Sequence, residues 1–250
     1  MSPPLRLASD SQVDAARRAS MREAACVAAS FAAGLATVPG ALAAGGEIRG
    51  YARTLLVNAL GEPLRAGRLV AGEAQLFNYP FVASPVFLLR LSRPVAATAL
   101  QTEAKESYSA PAGVGPQQNI VAFSAICAHK LMYPTLQISF IGLRKGQASE
   151  PAQVIHCCGD NSRYDPGQGA RVIAGPAPQP LAAVLLEWEA KTDRLYATGM
   201  QGGEMFAAFF EKYGFKLETE LGAKARATVG PTAVVQPAAA YSRQWQSCRA

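Results

Sequence analysis

Short apolar or alternating segments, separated by turn residues, make up the chain from residue 48 onward. Runs of about four to eight such residues, bounded by glycine, proline and asparagine, are typical of β-strands. The predicted strands cover 52–58, 69–77, 86–91, 120–124, 137–143, 153–156, 183–188 and 194–198, and the clearest turns are at 61–63, 111–116 and 165–167. The pattern therefore predicts a mainly β fold.

One segment has helical periodicity instead. Residues 203–213 place four large apolar side chains on one face, Met205, Phe206, Phe209 and Phe210. Gly214 is predicted to end this C-terminal helix, since glycine often follows the last helical residue. The tail from 223 to 250, which contains two prolines and a run of alanines, is predicted to lie as a strap across the domain.

The N-terminus has the order of a signal peptide. Arg17 and Arg18 precede an apolar stretch at 24–38, and a small-residue site follows at 41–43. The paired arginines predict a twin-arginine signal, cleavage near Ala43 or Ala44, and a periplasmic protein. Two alternatives stay open: an ordinary secretory signal, and an uncleaved segment that attaches the protein to a membrane.

Composition narrows the class of protein. With 250 residues, 50% of them hydrophobic and 17% charged, the chain is long enough to bury a full core. The net charge of +6 comes from acidic and basic residues that are mixed along the chain. Without basic blocks or a basic helical stripe, the sequence disfavours nucleic acid as a partner.

The cysteines and histidines cluster. One of the five cysteines, Cys26, falls inside the predicted signal, and the other four are Cys127, Cys157, Cys158 and Cys248. In an exported protein, four cysteines allow two disulfides. However, both histidines of the chain, His129 and His156, lie beside these cysteines. This juxtaposition favours a metal site, and it leaves Cys248 either free or paired with a partner chain.

Three segments resemble the Rieske iron–sulfur family. Cys127-Ala128-His129 is similar to the family's first ligand motif, and residues 161–166 resemble the end of its second motif. Residues 175–178, Gly-Pro-Ala-Pro, resemble the proline loop that covers the cluster. The resemblance implies an antiparallel β sandwich or barrel with a small cluster-binding subdomain and a C-terminal helix. The predicted regions are a signal at 1–43, a β-rich base at 44–119, a cluster-binding region at 120–186, and a final strand, helix and strap at 187–250.

The resemblance also implies a cofactor. A Rieske 2Fe-2S cluster has two thiolates on one iron and two imidazoles on the other. Ser162 and Tyr164 match the family's residues that donate hydrogen bonds to the cluster sulfurs and raise its potential. Gly175, Pro176 and Pro178 match the stiff, apolar lid of the cofactor site.

The second motif departs from the family, because no histidine follows either cysteine at the required spacing. Counting back from Tyr164 places Cys157 in the ligand position and Asp160 in the histidine position. In this register Met132 and Gly159 occupy the two positions of the family's disulfide. The alternative register uses Cys158 with Asn161 and needs a deletion.

The fourth ligand therefore stays open at the level of sequence. Asp160 is one candidate, and an anionic carboxylate should lower the potential relative to imidazole. His156 is another, although on a strand it shares a face with Cys158 and points away from Cys157. A lost or degenerate cluster is the third. The 27 residues at 130–156 between the motifs exceed the family's usual spacing and predict an inserted hairpin around 143–151.

The leading functional hypothesis is an electron-transfer subunit of an exported or respiratory oxidoreductase. Its expected partners are a redox subunit or cytochrome, which includes the case of a membrane complex. The alternative is a Rieske-fold subunit with a structural or interaction role and no working cluster, and a disulfide-stabilised secreted binding domain comes third. A hydrolase is disfavoured, because neither histidine accompanies a nucleophile motif such as Gly-x-Ser-x-Gly.

Overall fold

The computed structural model describes residues 48–248, which form a mainly β structure with two α-helices. The strands are β1 (Arg49–Val57), β2 (Ala74–Asn78), β3 (Pro85–Arg90), β4 (Thr98–Gln101), β5 (Ser107–Ala110), β6 (Ile120–Ser124), β7 (Ile138–Ser139), β8 (Ile141–Lys145), β9 (Gln153–Cys157), β10 (Ser162–Asp165), β11 (Arg171–Ala174), β12 (Ala183–Glu189), β13 (Arg194–Gln201), β14 (Thr232–Val234), β15 (Gln236–Pro237) and β16 (Gln244–Trp245). The helices are α1 (Phe206–Leu221) and α2 (Ala238–Tyr241). The predicted signal at 1–43, including Cys26, lies outside the described residues. Across the described range, no helix combines the length and apolarity needed to cross a membrane.

An eight-stranded sheet is the main element of the fold. Its strand order is β14-β1-β13-β12-β6-β3-β2-β15, with antiparallel pairing except between β14 and β1. The first and last strands of this order, β14 and β15, are separated in sequence by Val235 alone. The two edges must therefore come close together, and the sheet curls into a nearly closed barrel. The predicted mainly β, barrel-like fold with a C-terminal helix is confirmed.

The large sheet carries a hydrophobic cluster on each face. In β3, Val86 and Leu88 point to one face while Phe87 and Leu89 point to the other, as the two-residue period of a strand requires. The first cluster, here called the barrel core, includes Leu56, Val86, Leu88, Ile120, Ala122, Val184, Phe209 and Phe210. The second, here called the inter-sheet core, includes Phe87, Leu89, Phe123, Cys127, Ile141, Ile155, Cys157 and Tyr164. The cysteines of the candidate site thus belong to the inter-sheet core.

A four-stranded sheet, here called the small sheet, has the strand order β11-β10-β9-β8. Strands β8 and β9 form a hairpin in which Ile141 pairs with Cys157, and β9 and β10 form another in which Cys157 pairs with Ser162. The β8–β9 loop, residues 146–152, overlaps the region around 143–151 that is predicted as an inserted hairpin. Two further two-stranded sheets join β4 with β5 and β7 with β16.

Helix α1 corrects the prediction that Gly214 ends the helix. It begins at Phe206 and continues through Gly214 to Leu221, with Leu217 extending the buried face. A Cβ at position 214 would lie 2.7 Å from a guanidinium nitrogen of Arg226, so this glycine permits a close approach. Gly222, with a φ of +67°, follows the last helical residue instead. The bounds of the four regions predicted from the sequence, 1–43, 44–119, 120–186 and 187–250, remain predictions.

Candidate metal centre

The first ligand loop leaves the end of β6 and turns back on itself. The Cys127 amide donates to the Met132 carbonyl at 2.8 Å, and the Leu131 amide donates to the Cys127 carbonyl at 3.0 Å. These bonds fix a tight turn in which Cys127 is fully buried. Within the same turn, the His129 side chain keeps 36% of its surface exposed. The loop therefore presents a buried sulfur and a solvent-facing imidazole.

The second ligand loop is the connection between β9 and β10. Cys157 ends β9, Ser162 begins β10, and the two residues pair directly across the hairpin. Asn161 adopts a φ of +63° in this connection, a left-handed conformation that asparagine tolerates better than most residues. The tight turn brings Asp160 back towards the first loop, where its side chain is only 1% exposed.

Three ligand-bearing side chains meet where the loops converge. The ligand atoms of Cys127, Cys157 and Asp160 all lie within 4.8 Å of one another. The Oδ2 atom of Asp160 lies 3.2 Å from the Cys127 sulfur and 3.1 Å from Nδ1 of His129. Two thiols and a carboxylate therefore converge, with an imidazole beside the carboxylate, and each is a known type of metal ligand.

The two buried thiols differ in pKa because they hydrogen-bond to each other. The hydrogen bond with Cys157, aided by that from the Tyr164 hydroxyl, lowers the pKa of Cys127 despite its burial. The same hydrogen bond with Cys127, together with burial, raises the pKa of Cys157. Two thiolates this close repel each other, so the metal-free pair retains a proton. A cation would replace that proton, because metal binding deprotonates thiols.

Asp160 is held as an anion. Burial acts to raise the pKa of Asp160, but hydrogen bonds from the Ser162 amide and the two thiols outweigh it and lower the pKa overall. The Ser162 amide donates to Oδ1 at 2.9 Å. This bond leaves Oδ2 directed at Cys127 and His129.

The hydroxyls of Tyr164 and Ser162 fit a sulfur-containing group. The Tyr164 hydroxyl lies 3.3 Å from the Cys127 sulfur and accepts from the Ala128 amide at 3.2 Å. The Ser162 hydroxyl is completely buried and has no hydrogen-bond partner among the described residues. An orphaned buried hydroxyl carries a substantial penalty unless an acceptor satisfies it. A sulfide of an iron–sulfur cluster is such an acceptor.

Met132 and Gly159 lie side by side. A Cβ at position 159 would lie 3.0 Å from Cε and 3.1 Å from Cγ of Met132. The sequence register that starts at Cys157 placed these residues in the two halves of the family's disulfide. Their contact supports that register, in which Asp160 stands in the histidine position.

The proline loop packs against the second ligand loop. Gly175 has a φ of +87°, and a Cβ there would lie 2.6 Å from the Cα of Ser162, so only glycine suits this position. Pro176 and Pro178 are exposed, whereas Ala177 packs on the inter-sheet core. The loop therefore covers the turn that carries Asp160 and Ser162.

The structure does not bring two of the predicted ligands to this centre. Cys158 forms a disulfide with Cys248, which corrects the expectation that Cys248 is free or pairs with a partner chain. His156 lies on the other face of β9 from Cys157, because successive side chains on a strand point to opposite faces. The alternatives that used Cys158 or His156 are therefore not the arrangement found.

His156 belongs instead to a charged network that the sequence did not reveal. Its Nδ1 accepts from Arg144 at 2.7 Å, and its Nε2 lies 2.7 Å from Oδ1 of Asn161. Arg144 and Arg163 both bind the Glu150 carboxylate. Burial and the two arginines lower the pKa of His156, which keeps the ring neutral. These residues meet only because β8, β9 and β10 pair side by side. No local motif in the sequence could therefore have identified them.

No protein-family model matches the chain. Iodate reductase subunit IdrB of Denitromonas iodatirespirans is 30% identical over 138 residues, which are 55% of this chain. The chain spans 60% of that relative's length. The soluble domain of Rieske protein II (soxF) from Sulfolobus acidocaldarius is 25% identical, with a TM-score of 0.44 over 62% of this chain and 82% of that one.

The two segments that resemble the Rieske ligand motifs lie in sequence order on a barrel-like β fold with a separate small sheet. Their cysteines converge at one buried centre, where a tyrosine hydroxyl reaches one sulfur and a serine hydroxyl stays without an acceptor. In these features the chain resembles Rieske proteins.

Proposed function

We propose that this protein is an electron-transfer subunit whose 2Fe-2S cluster is held by Cys127, Cys157, His129 and Asp160. The observation that carries the proposal is the convergence of two free, buried cysteines with a buried carboxylate and an exposed imidazole. When bound, such a cluster accepts and releases one electron at a time. The unpaired Ser162 hydroxyl and the Tyr164 hydroxyl supply two donors for its sulfurs.

Each side chain has a distinct task in this proposal. Cys127 and Cys157 supply the thiolates, and their burial in the inter-sheet core excludes water from the sulfurs. Asp160 supplies an oxygen beside the His129 nitrogen, and the Ser162 amide holds its carboxylate in place. His129 is the ligand that faces solvent, so electrons would enter or leave on its side.

The partner and the cell compartment are also proposals. A subunit of iodate reductase is among the relatives, which supports a role beside a catalytic redox subunit or a cytochrome in an exported oxidoreductase. The paired arginines at 17 and 18, ahead of an apolar segment, support export by the twin-arginine route. A periplasmic location follows from that route.

Iron and acid-labile sulfide analysis of the full chain, purified anaerobically from the periplasmic fraction, tests the proposal. We expect about two irons and two sulfides per chain and a paramagnetic signal at low temperature after reduction. Replacing Asp160 by asparagine should remove most of the iron, because the amide is a weaker ligand. Asp160→His should retain the cluster and raise its potential, since a neutral imidazole replaces an anion.

Asp193→Asn is the matched control, because Asp193 binds Trp188 and the Gly67 amide away from this centre. Its iron content should equal that of the unaltered chain. Protein without iron, after anaerobic purification, would contradict the proposal.

A second candidate is a Rieske-fold subunit without a cluster and with a structural or interaction role. One observation favours it: the Asp160 carboxylate is satisfied by the Ser162 amide and the Cys127 thiol without any metal. The iron and sulfide analysis separates the candidates, since this one predicts neither element.

A further inference from the structure

The C-terminal segment 242–248 runs along the chain that follows the first ligand loop. Strand β16 pairs in parallel with β7. The backbone amides of Arg243, Gln244 and Gln246 donate to carbonyls of Leu136, Gln137 and Ser139 at 3.0, 3.1 and 2.8 Å. This pairing ties the segment to residues that begin only a few positions after His129.

The same segment is bonded to the second ligand loop. Its Cys248 forms a disulfide with Cys158, the residue directly after Cys157, across 90 positions of sequence. The Cys158 amide in turn donates to the Phe140 carbonyl at 2.7 Å. The disulfide therefore reaches the turn that carries Asp160.

Trp245 attaches the segment at a third place, on strand β8. Its indole lies on Gly142 of β8, where a Cβ would be 2.9 Å from the ring, and its Nε1 donates to the Ala238 carbonyl at 2.9 Å. A side chain at position 142 would displace the indole. The segment thus contacts the chain that follows the first ligand loop, the second ligand loop at Cys158, and strand β8 between them.

We infer that segment 242–248 is a clamp that positions the two ligand loops relative to each other. The resemblance assigns the family's disulfide to the positions of Met132 and Gly159, and this chain has the Cys158–Cys248 bond instead. Loops with few backbone hydrogen bonds open locally, and a covalent tie to a distant segment restricts that opening. The link to cofactor retention rests on the proposed function, whereas the clamping of the loops does not.

Hydrogen exchange of the metal-free protein tests the clamp without any cluster. The variant Cys158→Ser/Cys248→Ser removes the disulfide and leaves no unpaired thiol beside Cys157. We expect exchange at the backbone amides of position 158 and of Gln246 to accelerate by at least about tenfold, after allowance for the intrinsic rate of serine, while β6 stays protected. Ser247→Ala, one residue before Cys248 and exposed, is the matched control and should exchange like the unaltered chain.

Cofactor retention is the second measurement. In the double serine variant, iron should be lost to a chelator at least about tenfold faster, and the paramagnetic signal should broaden as the ligands become less well positioned. A merely structural tie would leave the signal's shape unchanged. Trp245→Ala, which keeps the disulfide, should show a smaller acceleration in both measurements and covers the case in which the double variant fails to fold.

The outcomes separate the two proposals. Unchanged exchange at Cys158 in both variants would overturn the clamp, whatever the iron content. Absence of iron from the unaltered chain would overturn the proposed function, while the exchange data would still decide on the clamp. Faster exchange together with unchanged iron loss and signal shape would show a tie that does not position the ligands, and this too would overturn the inference.

Discussion

A single carboxylate, that of Asp160, sets the chemistry of this site apart from its Rieske resemblance. An imidazole ligand is neutral, whereas Asp160 is anionic and its pKa is lowered by the Ser162 amide and the two thiols against the effect of burial. A negative ligand stabilises the oxidised, more positive state of a metal centre. In the proposed cluster, Asp160 would therefore give a lower potential than a second imidazole.

The contact between Met132 and Gly159 allows a direct test of the register that assigns Asp160. Replacing both residues by cysteine should form a disulfide, because a Cβ at position 159 would already contact the side chain at position 132. Closing a loop of this length should stabilise the protein by up to roughly 3 kcal/mol. Peptide mapping without reductant identifies the bond, and denaturant unfolding measures the gain.

Each single cysteine variant, Met132→Cys or Gly159→Cys, serves as the control and should give no such gain. A double variant whose new cysteines stay unlinked under oxidising conditions would argue against this register.

Sequence could identify some residues of the centre and not others. Cys127 and His129 lie one residue apart in a single loop, so local spacing is enough to pair them. The Cys158–Cys248 bond joins residues 90 positions apart, and connectivity of that kind cannot be read from spacing. The neighbouring Cys157 and Cys158 diverge because successive side chains along an extended chain point to opposite faces and because β9 ends at Cys157.

The turn that holds Asp160 contacts the charged network of the small sheet through Asn161. Glu150, in the β8–β9 loop, accepts from Arg144 of β8 and from Arg163 of β10. His156 connects the network to Asn161, whose left-handed backbone shapes the turn. The network thus joins three strands of the small sheet next to the ligand loop.

The pH dependence of stability should reveal this network. The hydrogen bond from Arg144 is the largest cause that lowers the pKa of Glu150 from 4.5 to about 2. Because the folded pKa lies below the unfolded one, the stabilisation is complete above about pH 5 and is lost as the pH falls towards 2. Glu150→Gln should therefore reduce the free energy of unfolding by about 1–3 kcal/mol at pH 7, and the difference should shrink steadily below pH 5.

Denaturant unfolding at pH 7, 5 and 3 measures this effect. Glu211→Gln on the exposed face of α1 is the control and should change the stability by less than about 0.5 kcal/mol. The same loss for Glu150→Gln at all three pH values would mean that the contribution is not ionic.

Strands differ in how well their sequences predict them. Strand β6 has the predicted bounds, 120–124, because it is apolar from Ile120 to Phe123 and buried at every position. Strands β10 and β11 were missed, since each has only four residues and mixed polarity and owes its conformation to pairing within the small sheet. Helix α1 was predicted with the correct face but the wrong end, because the packing of Gly214 on Arg226 is a tertiary contact.

At the scale of the whole molecule, one sheet separates two cores with different tasks. The barrel core contains α1, which also supports the first ligand loop through the Tyr133–Phe209 contact, with ring centroids 4.9 Å apart. The inter-sheet core contains the sulfurs of Cys127 and Cys157. Mutations should therefore be able to lower the free energy of unfolding without changing how well the two sulfurs are protected from solvent.

Two fully buried phenylalanines, Phe87 and Phe209, test this separation. Phe87→Ala and Phe209→Ala should each cost about 3–5 kcal/mol in the free energy of unfolding, whereas Phe215→Ala, at a position 89% exposed, should cost less than about 0.5 kcal/mol. In the metal-free protein under native conditions, Phe87→Ala should make Cys127 and Cys157 react faster with a thiol reagent, because the cavity borders their own core. Phe209→Ala should accelerate the reaction less, because Phe209 reaches the first ligand loop only through its contact with Tyr133. Equal acceleration in both variants would show that the two cores open together and that the sheet does not insulate the centre.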